Sequence, residues 1–122
     1  MANPLDAYMK NSVETATPLR QVILLYEKAI VTLKQIKDDI NNNDIKAKIE
    51  HISKVTNIIT ALDSSLDFEK GGEIAKNLHM LYDFVDRSLL TIHAKNDKQL
   101  IDDVIEILEN LKEGWEGIES KV

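Results

Sequence analysis

The chain has 122 residues, a formal charge of −6, a pI near 5.0 and no cysteine. An acidic surface repels nucleic-acid phosphates, and a chain without thiols forms neither disulfides nor thiolate metal sites, which fits a reducing compartment. This length makes one domain, residues 1–122, able to bury about two-thirds of its unfolded surface.

The chain opens Met1-Ala2-Asn3-Pro4-Leu5-Asp6 with no basic region ahead of an apolar core, so no secretory signal is expected. Its longest wholly apolar run, Val22 to Tyr26, falls far short of the ~20 residues that span a membrane. The expectation is a soluble, cytoplasmic protein with no nucleic-acid partner and no membrane insertion. Asn3-Pro4 is a cap followed by proline, which predicts a short helix over Leu5 to Lys10 with Leu5, Tyr8 and Met9 on one side. Residues 11–16 are rich in Ser and Thr and read as a connector, making residues 1–16 a leader packed on a helical bundle, residues 17–122.

Thr17-Pro18 starts the first long helix. The Thr hydroxyl can accept from a first-turn amide, and proline at the first position loses no hydrogen bond. Leu19, Ile23, Tyr26, Ile30 and Leu33 form one stripe, widened by Val22, Ala29, Ile36 and Ile40. Leu24 and Val31 project from roughly the opposite side. A helix apolar on its back as well as its front must be covered on both, by its own chain or by a partner.

The helix stops at Asn41-Asn42-Asn43, and Asp44 caps a second one striped by Ile45, Ile49, Ile52, Val55, Ile59, Leu62 and Leu66. That helix is expected to end near Asp67 to Gly72, with Gly71-Gly72 supplying the reversal. A third spans about Glu73 to His93, with Ile74, Leu78, Leu81, Val85, Leu89 and Ile92 inward. Asn96 with Gln99 three residues on reads as a capping box for the fourth. Its ladder is Ile101, Val104, Leu108, Leu111, Trp115, Ile118 and Val122, with Leu100 and Ile107 beside it and Gly114 and Gly117 weakening its end. Four such helices on short turns make an all-α, antiparallel up-down-up-down four-helix bundle.

Catalysis is not supported. A di-metal centre in a bundle needs Glu-x-x-His pairs, whereas Lys48, Lys76 and Leu90 stand three before His51, His79 and His93. The carboxylates at 38–39, 102–103, 106 and 109 lie off the apolar stripes, as on a solvated face. Gly71-Gly72 lacks the Lys and Ser/Thr of a phosphate loop. No cofactor or metal is implied.

Tyr8, Thr15-Ala16-Thr17-Pro18, Leu24-Leu25-Tyr26-Glu27-Lys28-Ala29-Ile30, Leu66-Asp67-Phe68-Glu69-Lys70-Gly71-Gly72-Glu73-Ile74-Ala75, Asn77-Leu78, Leu81-Tyr82 and Trp115 stand in this order. In order and spacing the set resembles the FliS family of flagellar secretion chaperones, over nearly the whole chain. The resemblance implies a cytosolic protein that binds the disordered C-terminal segment of flagellin, prevents premature polymerisation and delivers it to the flagellar export gate. It leaves room for a cytosolic co-chaperone or regulator as a further partner. Such a client can fold as helices into grooves between bundle helices. Leu24, Val31, Leu100 and Ile107 are then the candidate receiving surface, with Tyr26 and Tyr82 at its edge. The leader face of Leu5, Tyr8 and Met9 would compete for the same groove.

Each assignment has a plainer counterpart. Leu24, Val31, Leu100 and Ile107 can be core under the leader, and Tyr26 and Tyr82 core-edge residues with wet hydroxyls. At the level of function the alternatives are a module that binds some other amphipathic helix or regulator, and a structural bundle that self-associates through Leu24 and Val31.

Overall fold

The computed structural model describes residues 17–121, and each of its four helices starts on a side-chain cap. Helix α1 is Pro18–Asn41, with Thr17 Oγ1 accepting from the Arg20 amide at 3.1 Å and Pro18 in the first turn. Helix α2 is Ile45–Ser64, where Asp44 Oδ1 accepts from the Ala47 amide at 3.1 Å. Helix α3 is Phe68–Lys95, capped by Asp67, and α4 is Lys98–Glu119, capped by Asp97. Such caps each contribute about 1 kcal/mol by satisfying amides that have no partner within the helix.

The connections are so short that each helix must run back along its predecessor. Helix α1 packs on α2 and α4, and α3 on the same two, closing a four-sided bundle. The all-α, up-down-up-down architecture expected from the sequence is the one observed. Its axis is filled by Ile23, Leu33 and Ile36 of α1, Val55, Ile59 and Leu62 of α2, Val85, Leu89 and Ile92 of α3, and Ile101, Val104 and Leu108 of α4. Each side chain of this kind contributes about 1.5–3 kcal/mol by leaving water. The leader, with Leu5, Tyr8 and Met9, and the last ladder position, Val122, lie outside the described residues.

Several local expectations are corrected. The reversal between α2 and α3 is made by residues 65–67, and the two glycines lie inside α3. Gly72 there has φ 51° and ψ −124°, kinking the helix after its first turn, while Gly71 permits an approach that would put an added Cβ 2.9 Å from Ala75 Cβ. Asn96 is not the cap of α4. It closes α3 in the left-handed conformation, φ 51°, and Asp97 caps α4, leaving the Gln99 side chain to bond Asp103.

The lower end of the α2 stripe also turns outward, with Ile45 and Ile49 exposed and Lys48 buried in their stead. Lys48 Nζ donates to the His93 carbonyl at 3.1 Å and to Asn96 Oδ1 at 2.9 Å. An ammonium can satisfy the unpaired carbonyl end of α3, which isoleucine cannot. Ile74 and Ile118 are likewise exposed at the far end of the bundle. Finally, Asp39 is buried and not on a solvated face; its Oδ2 lies 2.5 Å from His51 Nδ1.

Candidate functional site

The back of α1 bears out its sequence pattern in part. Val31 is 55% exposed. It lies with Ile30 and Lys34 in a groove of ≈ 480 Å³ between α1 and α4, whose other wall is Glu109, Lys112, Glu113 and Glu116. Ion pairs cross this seam at intervals: Arg20 grips Glu119 with two guanidinium N–H donors, Lys112 reaches Glu27 at 3.9 Å, and Lys37 reaches Asp102 at 2.7 Å. Hydrogen bonding to Arg20 holds the Glu119 carboxyl below its ordinary value. Leu24 is half-buried about two turns above Val31, in a recess of ≈ 280 Å³ with Gln21, Leu25 and Lys28. That recess shares Leu25 and Lys28 with a groove of ≈ 430 Å³ against α2, floored by Ile58.

Leu100 and Ile107 are both half-buried, and Leu100 packs against the core. They do not join Leu24 and Val31. The face of α4 that lines the α1 groove carries Glu109, Lys112 and Glu116, and at 100° per residue Leu100 and Ile107 lie about half a turn away, on the flank toward α3. The four residues therefore divide between two sides of the bundle.

Tyr26 and Tyr82 are not at an edge. They are 0% and 2% exposed, with their hydroxyls 2.5 Å apart. Burial pushes both phenols above their ordinary value; the hydrogen bond between the two raises Tyr82 further and pulls Tyr26 back. Both are neutral, so one hydroxyl donates to the other. Trp115 packs beside this core half-buried, its Nε1 shielded without an acceptor in hydrogen-bond geometry.

Sequence reasoning passed over other exposed apolar residues, chiefly Met80, Phe84 and Leu90 on α3 and Phe68 at its start. The first three were legible by the logic that picked out Leu24, being apolar positions off the inward stripe. Phe84 lies on the flank of α3 away from Asp86 and His79, the flank toward α4 on which Leu100 and Ile107 also face. Phe68 meets the His79 ring edge-on, centroids 5.9 Å apart. Among the described residues no three His, Asp or Glu side chains are placed to hold a metal, and no helix is long and apolar enough to cross a membrane.

Comparison with known proteins identifies this bundle. The family model of the flagellar protein FliS matches residues 1–122. The chain belongs to the FliS family. It is 41% identical over 122 residues to the flagellar secretion chaperone FliS of Vibrio cholerae, covering 97% of this chain and 90% of that one. With the Salmonella typhimurium protein of the same name it shares 39% over 125 residues, covering 98% and 93%, and with that of Bacillus subtilis 30% over 113 residues, covering 93% and 84%. A solved structure described as a flagellar chaperone from bacteria superposes with a TM-score of 0.82 at 20% identity, covering 98% of this chain and all of that one. These FliS-family relatives are named chaperones, proteins that act by binding and not by catalysis.

Proposed function

We propose that the chain is an export chaperone that binds the disordered C-terminal segment of flagellin in the cytosol, blocks its premature polymerisation and delivers it to the flagellar export gate. Membership of a family of flagellar secretion chaperones supports this reading. The observation that carries it at residue level is a bundle whose core is closed while α1 still presents Val31 and Leu24 outward. A client that orders on contact can lay apolar faces on such positions, and the ordering cost of a few kcal/mol keeps the complex releasable. With Leu100 and Ile107 on another side, the client would contact two sides of the bundle, as a long unfolded segment is able to do.

The leader enters at Thr17, the end of the bundle where Phe68, Ile74 and Ile118 are exposed. On this reading residues 1–16 compete with the client through Leu5, Tyr8 and Met9. A tethered segment acts at an effective concentration of order millimolar, so weak docking suffices.

The test is calorimetric titration of the full chain with the C-terminal segment of flagellin from the same organism. Saturable one-to-one binding with a negative heat-capacity change and a gain of helical signal is the expected result. Absence of heat at micromolar concentration, with and without residues 1–16, refutes the flagellin reading and leaves a bundle for another helix.

A further inference from the structure

Three ion pairs cross the seam between α1 and α4 as rungs: Arg20 with Glu119, Glu27 with Lys112, and Lys37 with Asp102. From one rung to the next the two helices advance by equal numbers of residues in opposite directions, which fixes their register. Val31 is level with Leu108, next to Glu109, and Leu24 is level with Trp115, next to Glu116. Leu24 and Val31 fall within about 20° of each other around α1 and stand about 10 Å apart along it. Across the seam Glu109, Glu113 and Glu116 line the α4 wall of the groove over the same two turns. The groove therefore has an aliphatic edge and a carboxylate edge, in step.

The rungs leave these carboxylates out. Lys112 is taken by Glu27, and Arg20 grips Glu119 while acting on Glu116 only through space. Among the described residues no cation, Lys34 of the same groove included, forms an ion pair with Glu109, Glu113 or Glu116. Glu109 and Glu113 are exposed, so an incoming group can reach them. Like charges at four- and three-residue spacing on one helix repel, and a cation laid along them relieves that repulsion. Beside them Val31 stands exposed over the buried Ile30.

We propose that the α1/α4 groove takes a basic amphipathic helix of the partner, one that lays aliphatic side chains over Leu24 and Val31 and sets Lys or Arg against Glu109, Glu113 and Glu116. Packed helices lie about 8–10 Å apart, so a third helix over the seam touches both edges at once. An acidic segment is repelled along the whole α4 wall, and a second copy of this chain, itself carrying −6, is disfavoured for the same reason. The proposal rests on the reading of Leu24 and Val31 as positions that a client covers, and adds what the client must present there.

The probe is a synthetic helix of about 18 residues with leucines along one stripe and lysines along the strip beside it. In a control peptide glutamate replaces every lysine. Both are titrated into the full chain, labelled with nitrogen-15, at about 150 mM salt, where diffuse attraction is screened. The lysine peptide saturates with shifts centred on Leu24, Val31, Glu109 and Glu113, and the control does not bind. The double variant Glu109→Gln, Glu113→Gln weakens the lysine peptide about fivefold, as expected for losing two exposed charge pairs. The double variant Glu73→Gln, Asp103→Asn changes the net charge equally but lies off the groove, and binds within about twofold of the wild type. Shifts centred on another seam, equal binding of the two peptides, or equal affinities of the two double variants overturn the proposal. The flagellin segment is titrated alongside. If it alone fails to bind, the flagellin reading falls and the groove proposal stands; if it binds and the lysine peptide does not, the reverse holds.

Discussion

Tyr26 on α1 and Tyr82 on α3 join hydroxyls across the bundle, 2.5 Å apart and closed off from water. They are 56 residues apart in sequence, and they link two helices that do not share a side of the bundle. Removing one hydroxyl leaves the other buried without a partner. Tyr26→Phe or Tyr82→Phe alone is therefore expected to lower unfolding stability by about 1–3 kcal/mol, whereas the double variant recovers most of that loss. Urea denaturation of the four proteins in the cycle measures the coupling. Additive losses would mean the pair does not act as a unit.

The glycines divide into two classes. Gly114 and Gly117 have open space where a Cβ would stand and lie within α4. Changing either to alanine should raise stability by about 0.5–1 kcal/mol through helix propensity. Gly72, at φ 51° and ψ −124°, should lose about 1 kcal/mol or more as alanine, because an L side chain is strained there. Thermal melting distinguishes the two directions.

Asn96 combines a left-handed backbone with a side-chain bond to Lys48. Asn96→Ala and Asn96→Gly both lose that bond, but only alanine meets the backbone strain. The alanine variant should be the less stable by about 1 kcal/mol. Equal denaturation midpoints would assign the role of Asn96 to its side chain alone.

Hydrogen bonding to Asp63 raises the His79 pKa above its ordinary 6.5. Since the folded value exceeds the unfolded one, what the pair contributes is full below pH 6.5 and is lost as pH rises through the folded value. Its exposure keeps the effect on stability small. Proton NMR titration should place the His79 midpoint above 6.5, and Asp63→Asn should bring it down.

Val31→Asp puts a charge on a position 55% exposed in the free bundle, so folding should change by no more than about 0.5 kcal/mol. If the flagellin segment covers Val31, its affinity falls about tenfold or more, the effect of burying an unpaired charge. Circular dichroism melting and calorimetric titration of the same preparation read the two quantities separately. Unchanged affinity would remove Val31 from the client surface.

Helix count, order and most boundaries were legible in the sequence, because they rest on interactions within a few residues. Thr17-Pro18 and Asp44 cap the helices they were expected to cap, and the stripe from Ile23 to Ile36 faces the core. Asn96 was expected to open α4, but it closes α3 and Asp97 opens α4; Asn and Asp are both competent caps. Which one closes α3 and which opens α4 depends on where Lys48 of α2 meets the end of α3.

The candidate site was less legible. Helical periodicity identified Leu24, Val31, Leu100 and Ile107 as off-stripe, but only the packing of α4 between α1 and α3 divided them between two sides. Periodicity placed Tyr26 on the inward stripe of α1 but chose Leu81 over Tyr82 on α3, where Tyr82 is the buried one; a single helix carries no information about what another brings opposite it. The caps and apolar periods of this chain are set by neighbours along the sequence. The tyrosine pair, the buried Lys48 and the shielded Asp86 carboxylate are set by neighbours in space, because satisfying or stranding a polar atom depends on all the helices that surround it.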